Sequence, residues 1–130
     1  MPHLSSIDHL VLTVADMAAT VEFYSALGLI PEEFTVADGT VRKAMAAPGF
    51  KLNLHPAKEP YAPHAKIALP GTVDLCFETA ESLDDWVTEL SAKGLQIIEG
   101  PVRRTGARGP MMSIYLRDPD GNLVEIARYG

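Results

Sequence analysis

The chain contains the same order of secondary-structure signals twice, and this repeat limits the folds that it can adopt. Each half predicts one strand, one amphipathic helix that ends at a Gly-Leu pair, and then three short strands. The two pairs, Gly28-Leu29 and Gly94-Leu95, are separated by 66 positions (94 minus 28). Because supersecondary units repeat at such periods, the pattern predicts two βαβββ modules and an α+β fold.

The first module is expected over residues 5–56. Its first strand, at 7–14, alternates in polarity, and Asp16 is a suitable N-cap for the helix that follows. Asp-Gly and Pro-Gly pairs, which are turn signals, separate the strand-like runs after the helix. These signals predict three strands at 30–37, 40–47 and 50–55.

The second module is expected over residues 72–130. It begins with a strand at 73–79, and Ser82 is placed to cap the second helix in a capping-box arrangement. After this helix the sequence predicts a strand at 95–99, a loop rich in Gly, Pro and Arg at 100–110, a strand at 111–117, an Asp-Pro-Asp-Gly-Asn turn at 118–122 and a final strand at 123–129.

The modules are joined by a proline-rich connector at 57–71. It contains little periodicity, which is typical either of a linker or of a loop that covers a binding site. Both interpretations of the connector are open. The length of the chain predicts a single domain, 1–130, because a chain of this size buries about two-thirds of the surface that it exposes when unfolded.

Composition excludes several functional classes. A net charge of -6 without a long basic run disfavours nucleic acids and anionic lipids as partners, and favours a small molecule. Cys76 is the single cysteine, so an intrachain disulfide is impossible. There is no signal-peptide pattern, and no apolar run approaches the roughly 20 residues of a transmembrane helix. We therefore expect a cytoplasmic protein.

Glu125 is a charged residue inside the apolar final strand and therefore needs an explanation. Aligning the two modules at their last turns sets Asn53 opposite Glu125. At the first strands a shift of 66 pairs Asp8 with Asp74, whereas a shift of 65 pairs His9 with Asp74. Strand alternation favours the second pairing, because both residues then lie opposite the helix. If the two sheets close into a cup, these polar groups converge as a metal site or a general-base site.

Three segments carry a resemblance to a known family. They read Ile-Asp-His-Leu-Val-Leu-Thr-Val at 7–14, Phe-Tyr-Ser-Ala-Leu-Gly-Leu at 23–29, and Asp-Pro-Asp-Gly-Asn-Leu-Val-Glu-Ile at 118–126. With these segments the chain resembles the vicinal oxygen chelate superfamily, which includes glyoxalase I, bleomycin-resistance proteins and extradiol dioxygenases. From residue 100 onward it is especially similar to the glyoxalase-domain-containing protein 5 group. The resemblance implies two βαβββ modules that form a cupped mixed sheet.

The same resemblance implies metal ligands at His9, Asn53, Asp74 and Glu125. Asn53 stands where glyoxalase I has a glutamate, so one of the two bases of that enzyme is missing. Asp74 stands where many members have a histidine. His55, two residues beyond Asn53, is a further candidate ligand. The implied cofactor is a divalent metal, Zn, Ni, Mn or Fe, and the alternative is that no metal binds.

The resemblance implies a metal-dependent enzyme that acts on a small oxygenated substrate. The chemistry would be that of lactoylglutathione lyase or of a related isomerase or dioxygenase, with Glu125 as the catalytic residue. Arg103, Arg108 and Tyr115 are candidate substrate-binding residues, although a solvated basic loop and a sheet-packing tyrosine are ordinary alternatives. The competing hypothesis is a metal-free binding protein of the bleomycin-resistance type. In either case the resemblance implies a homodimer.

Overall fold

Each half of the chain folds into one four-stranded mixed sheet with one helix. The computed structural model describes all residues, Met1–Gly130, and divides them into the units Met1–Pro70 and Gly71–Gly130. Both units have the order βαβββ, which confirms the α+β fold class predicted from the repeat.

The elements of the first module agree closely with the predicted ones. Asp16 caps the helix as expected, because its carboxylate accepts a hydrogen bond from the amide of Ala19. The elements are β1 (His9–Val14), α1 (Met17–Ala26), β2 (Ile30–Thr35), β3 (Val41–Ala47) and β4 (Phe50–Pro56).

The second module repeats this order. The Ser82 hydroxyl accepts a hydrogen bond from the amide of Asp85 and so caps the helix, as predicted. The elements are β5 (Asp74–Glu78), α2 (Leu83–Ala92), β6 (Ile97–Gly106), β7 (Gly109–Arg117) and β8 (Leu123–Tyr129). Neither helix is long and apolar enough to cross a membrane.

The two sheets have the same strand order and the same register. The first sheet runs β1-β4-β3-β2 and the second runs β5-β8-β7-β6, with a parallel pair at one side of each. Val11 is paired with Asn53 in the first sheet, and Cys76 is paired with Glu125 in the second. His9 and Asp74 stand two residues before Val11 and Cys76, so the register agrees with a shift of 65 at the first strands.

Each module has a core between its sheet and its helix. Apolar side chains alternate along the central strands, and one face of each sheet is buried while the other carries the polar residues. In the first module the core contains Leu12, Val14, Tyr24, Met45, Leu52 and Leu54, and in the second it contains Leu90, Ile114, Leu116, Val124 and Ile126. Burying each of these leucines stabilises its module by about 1.5–3 kcal/mol.

The predicted loop at 100–110 is wrong, because most of this segment belongs to strand β6. The strand continues to Gly106, and only two residues separate it from β7. The pairing with β7 shifts register on both sides of Glu99, which indicates β-bulges. Gly100 occupies this irregular stretch with φ of 104°, and a side chain there would collide with the backbone oxygen of Ser113. The Gly and Pro signals thus mark a bulged strand.

Candidate functional site

A hydrogen-bonded turn fixes the start of β8. The Asp118 carboxylate accepts hydrogen bonds from the amides of Asp120 and Asn122, each at 2.9 Å, and from the side-chain amide of Asn122 at 2.8 Å. The Asn122 side-chain oxygen in turn accepts from the amide of Val73 at 3.0 Å. The turn therefore ties the beginning of β8 to the beginning of β5, and so sets the position of Glu125 three residues later.

Glu125 lies on the face of the second sheet opposite α2 and is half-buried. The Ser113 hydroxyl donates a hydrogen bond to Glu125 Oε2 at 2.6 Å. Cys76 on β5 and Tyr115 on β7 are its register partners on either side. The carboxylate thus has a hydroxyl, a thiol and a phenol on its two neighbouring strands, which supply polar groups around a charge inside an apolar strand.

The Glu125 carboxylate affects the acidity of both neighbours. Cys76 is exposed overall, but partial desolvation of its thiol, and then the charge and hydrogen bonding of Glu125, raise the pKa of this thiol to about 11. Burial also raises the pKa of Tyr115, with a further contribution from Glu125, while the hydrogen bond from Arg104 acts in the opposite direction. Both groups are therefore neutral hydrogen-bond donors near neutral pH.

Arg104 joins this group. It belongs to the basic loop predicted from the sequence, in which Arg103 and Arg108 were selected as the substrate-binding residues. Its Nε donates to the Tyr115 hydroxyl at 2.9 Å, and its Nη2 donates to Glu99 at 2.6 Å. Arg104 is paired with Met111, two residues before Ser113, so strand alternation places it on the same face as Glu125. Recognising β6 as a strand would have identified Arg104 instead of its neighbour.

Arg103 and Arg108, the two arginines proposed from the sequence, lie apart from Glu125. Arg103 is exposed and is paired with Met112, so it belongs to the opposite face of the sheet. Arg108 lies in the turn between β6 and β7 and forms an ion pair with Glu78 at 2.8 Å, with its guanidinium over the ring of Tyr129. Tyr115 is the one proposed substrate-binding residue that the structure brings beside Glu125.

In the first module, His9 and Asn53 share the face opposite α1. His9 Nδ1 is 2.8 Å from the carboxylate of Asp8, an arrangement that fixes the ring and leaves Nε2 free of this contact. This second-sphere pairing is common for histidines that bind metals. Asn53 lies between Val11 and Ala44 in the sheet, and its Oδ1 is buried without a hydrogen-bond partner.

His55 is buried on the same face, beneath the connector. Its ring contacts Tyr61 edge to face, with the ring centroids 5.0 Å apart. The Arg42 guanidinium stacks on the same tyrosine, 4.1 Å from the ring centroid. Burial, and then the charges of Arg42 and His64, lower the pKa of His55. His55 was predicted from the sequence as a site residue, whereas Arg42 and Tyr61 were not.

The donor types suit a divalent metal. No group of three or more His, Cys, Asp and Glu side chains in the described chain could hold a metal ion. Each module instead contains two of the four metal ligands that the resemblance implies. The first module contains His9 and Asn53, and the second contains Glu125 and Asp74, which is the exposed first residue of β5. Imidazole, carboxylate and amide donors match Zn, Ni, Mn or Fe. The unpartnered Oδ1 of Asn53 is a further oxygen donor with this chemistry.

Comparison with known proteins agrees with the topology. A model of the Glyoxalase/Bleomycin resistance protein/Dioxygenase superfamily matches residues 6–126. Virulence protein STM3117 of Salmonella typhimurium is 46% identical over 127 residues, which cover 97% of this chain and 85% of that protein. Glyoxalase domain-containing protein RDO1 of Mycosarcoma maydis is 45% identical over 124 residues, or 95% of this chain and 68% of that protein.

Solved structures with a similar fold include proteins of the same kind. The crystal structure of STM3117 has a TM-score of 0.90 at 45% identity, and the match covers 99% of this chain and 100% of that chain. The lactoylglutathione lyase from Agrobacterium tumefaciens has a TM-score of 0.71 at 25% identity, with 97% of this chain and 95% of that chain covered.

Proposed function

Because the chain belongs to the Glyoxalase/Bleomycin resistance protein/Dioxygenase superfamily, we propose that it is a divalent-metal-dependent enzyme acting on a small oxygenated substrate. Members of this superfamily usually bind a divalent metal. The observation that carries the proposal is the setting of Glu125, a half-buried carboxylate on a central strand to which Ser113 donates a hydrogen bond. A carboxylate placed in this way can serve both as a metal ligand and as a base.

In this proposal the metal ligands are His9, Asp74 and Glu125, with Asn53 as a fourth, neutral ligand. The metal would act as a Lewis acid that stabilises negative charge on substrate oxygens. His55 is not included among the ligands, because it lies two residues beyond Asn53 on β4 and its ring packs against the ring of Tyr61.

The protein side chains then have separate roles. Ser113 orients the Glu125 carboxylate by donating to Oε2. Arg104 holds the Tyr115 hydroxyl, so that this phenol stands beside Glu125 as a neutral donor for a substrate oxygen. Glu125 would take up the substrate proton as the single base of the site.

The amide of Asn53 restricts the chemistry. It cannot accept a proton, so an isomerisation that needs a second carboxylate base opposite Glu125 is disfavoured. The proposal therefore extends to lyase, isomerase or dioxygenase reactions that need one base. The absence of a second base also supports the alternative, in which the chain binds and sequesters a small molecule without a metal.

Measuring the metal content distinguishes the metal-dependent enzyme from the metal-free binding protein. We expect purified protein to contain close to one divalent metal per site, and His9→Ala and Glu125→Gln to lose it, while Glu22→Gln, a substitution of an exposed carboxylate on α1, retains it. The enzyme proposal fails if elemental analysis finds no metal and if Mn, Fe, Ni, Co and Zn all leave the melting temperature unchanged. A compound that raises the melting temperature of the metal-free protein and is recovered unaltered would support the binding protein.

Superfamily members bind small molecules and are often dimeric. We propose that this chain also forms a homodimer, with residues 1–130 as one glyoxalase-like domain in each copy. Light scattering coupled to size-exclusion chromatography measures the mass directly, and a monomer mass at micromolar concentration would contradict the proposal.

A further inference from the structure

Two nitrogen atoms on the polar face of the first sheet are buried without a hydrogen-bond partner. They are Nε of Arg42 and Nδ1 of His55, and the His55 residue is only 7% exposed. Buried polar groups are nearly always paired in folded proteins, because an unpaired group loses its hydration without compensation. Two such atoms close together therefore indicate that a partner comes from outside the chain.

The sheet register places these two residues side by side. Ala44 on β3 is paired with Asn53 on β4, and Arg42 and His55 each lie two residues further along these antiparallel strands on the same face. Both side chains contact the ring of Tyr61, at 4.1 Å for the guanidinium and 5.0 Å for the imidazole. Tyr61 therefore forms a wall that the two nitrogen-bearing groups share.

Arg42 also differs from the other arginines that have ring contacts. Arg104 and Arg108 stack on tyrosines and each forms an ion pair with a glutamate. Arg42 has a comparable ring contact but no carboxylate partner. A cation–π contact offsets only part of the hydration that a half-buried guanidinium loses. Hydrogen bonding from Thr40 and, more weakly, the charge of Arg42 lower the pKa of Asp38, but no carboxylate of the protein forms an ion pair with the guanidinium.

We propose that Arg42 and His55 form an oxyanion-binding subsite in the first module, for a carboxylate or phosphate group of a small ligand. The guanidinium would donate to the oxyanion, and the His55 ring would donate a second hydrogen bond from Nδ1 in the matching tautomer. Tyr61 holds the guanidinium plane in place by stacking. The subsite uses none of the proposed metal ligands, so it goes beyond the proposed function and does not depend on it.

The Nε–H group of Arg42 gives a direct test by NMR. Full-length protein is treated with a chelator and titrated with sodium phosphate or sodium acetate, against sodium chloride at matched ionic strength. We expect a saturable shift of the Arg42 Nε–H resonance, assigned by its absence in Arg42→Gln. Saturation by phosphate alone identifies a phosphate group, saturation by acetate alone identifies a carboxylate, and either result supports the subsite.

The control is Lys43→Gln, which removes one positive charge from the adjacent residue on the opposite face of the same strand. Because Arg42→Gln and Arg42→Lys lack the Nε–H resonance, anion binding to all variants is followed through the backbone amide resonance of His55. Arg42→Gln is expected to weaken binding about tenfold or more, as removal of a charge-assisted hydrogen bond does, and Lys43→Gln less than about twofold. Arg42→Lys keeps the positive charge and is the variant less prone to misfold. Its affinity for the anion should lie between those of Arg42→Gln and Lys43→Gln. No saturable shift with either anion, or equal weakening by Lys43→Gln, would overturn the proposal.

Discussion

Ser113 and Glu125 are joined across β7 and β8 by a hydrogen bond of 2.6 Å. Ser113 is fully buried, and its hydroxyl has this carboxylate as its acceptor. Hydrogen bonds to ionised acceptors are shorter and stronger than neutral ones. The bond therefore links the stability of the second sheet to the residue on which the proposed chemistry depends.

Replacing Ser113 by alanine should destabilise the protein by about 1.5–3 kcal/mol, the usual contribution of a hydrogen bond to a charged group. Chemical denaturation measures the loss, with Ser91→Ala on the exposed side of α2 as the control that should change little. In a double-mutant cycle with Glu125→Gln, the two effects should be non-additive. Additive effects would show that the bond does not contribute in solution.

Cys76 should react slowly with iodoacetamide, because its pKa of about 11 leaves little thiolate near neutral pH. At pH 8 we expect alkylation of metal-free native protein to be about tenfold to a hundredfold slower than that of the unfolded chain. Glu125→Gln removes one of the causes of the raised pKa and should accelerate the reaction. Mass spectrometry of timed samples measures both rates, and an unchanged rate in Glu125→Gln would contradict the described contact.

The turn before β8 should contribute strongly to stability. Asn122 is only 2% exposed, and its side chain bonds both to Asp118 and to the amide of Val73. Asn122→Ala leaves these groups unpaired and should cost about 1–3 kcal/mol. Urea denaturation measures this cost against Gln96→Ala, a truncation of an exposed amide. Equal midpoints for the two variants would contradict the role of the turn.

Local signals predicted most of the fold because helix caps and turns act over a few residues. Asp16 and Ser82 cap the two helices as expected, and β8 begins at Leu123, directly after the predicted turn. Strand β6 was missed because the bulge that accommodates Gly100 depends on pairing with β7, which is distant in sequence. A prediction made from neighbouring Gly, Pro and Arg residues does not include that long-range pairing.

The candidate site was less predictable from the sequence, because it depends on contacts between residues that are distant in the chain. The two-residue periodicity of strands favoured the equivalence of His9 with Asp74, and the observed register agrees with it, since alternation is a local property. The choice between Arg103 and Arg104 required β6 to be known. The contact of Tyr61 with Arg42 and His55 brings a connector residue onto a sheet, and no spacing rule predicts where a proline-rich connector lies.

The buried His55 should make stability depend on pH. Burial, and then the charges of Arg42 and His64, lower its pKa from the ordinary value of 6.5, so the unfolded chain takes up a proton at a higher pH than the native chain. Stability is then fully present above the ordinary pKa and declines as the pH falls below it. Replacing His55 by glutamine removes this contribution to the decline, because an amide does not titrate in this range.

The free energy of unfolding should therefore fall more steeply in the unsubstituted protein than in His55→Gln as the pH is lowered from about 8 to about 5.5. Urea titrations at each pH measure the difference, in Bis-Tris and chloride because a phosphate or acetate buffer would load the proposed oxyanion subsite. His3→Gln, which removes an exposed histidine, should keep the steep dependence. Each variant lacks one imidazole, but only His55→Gln lacks a buried one. If the stability of the two variants depends on pH in the same way, then His55 is not the group whose protonation opposes folding.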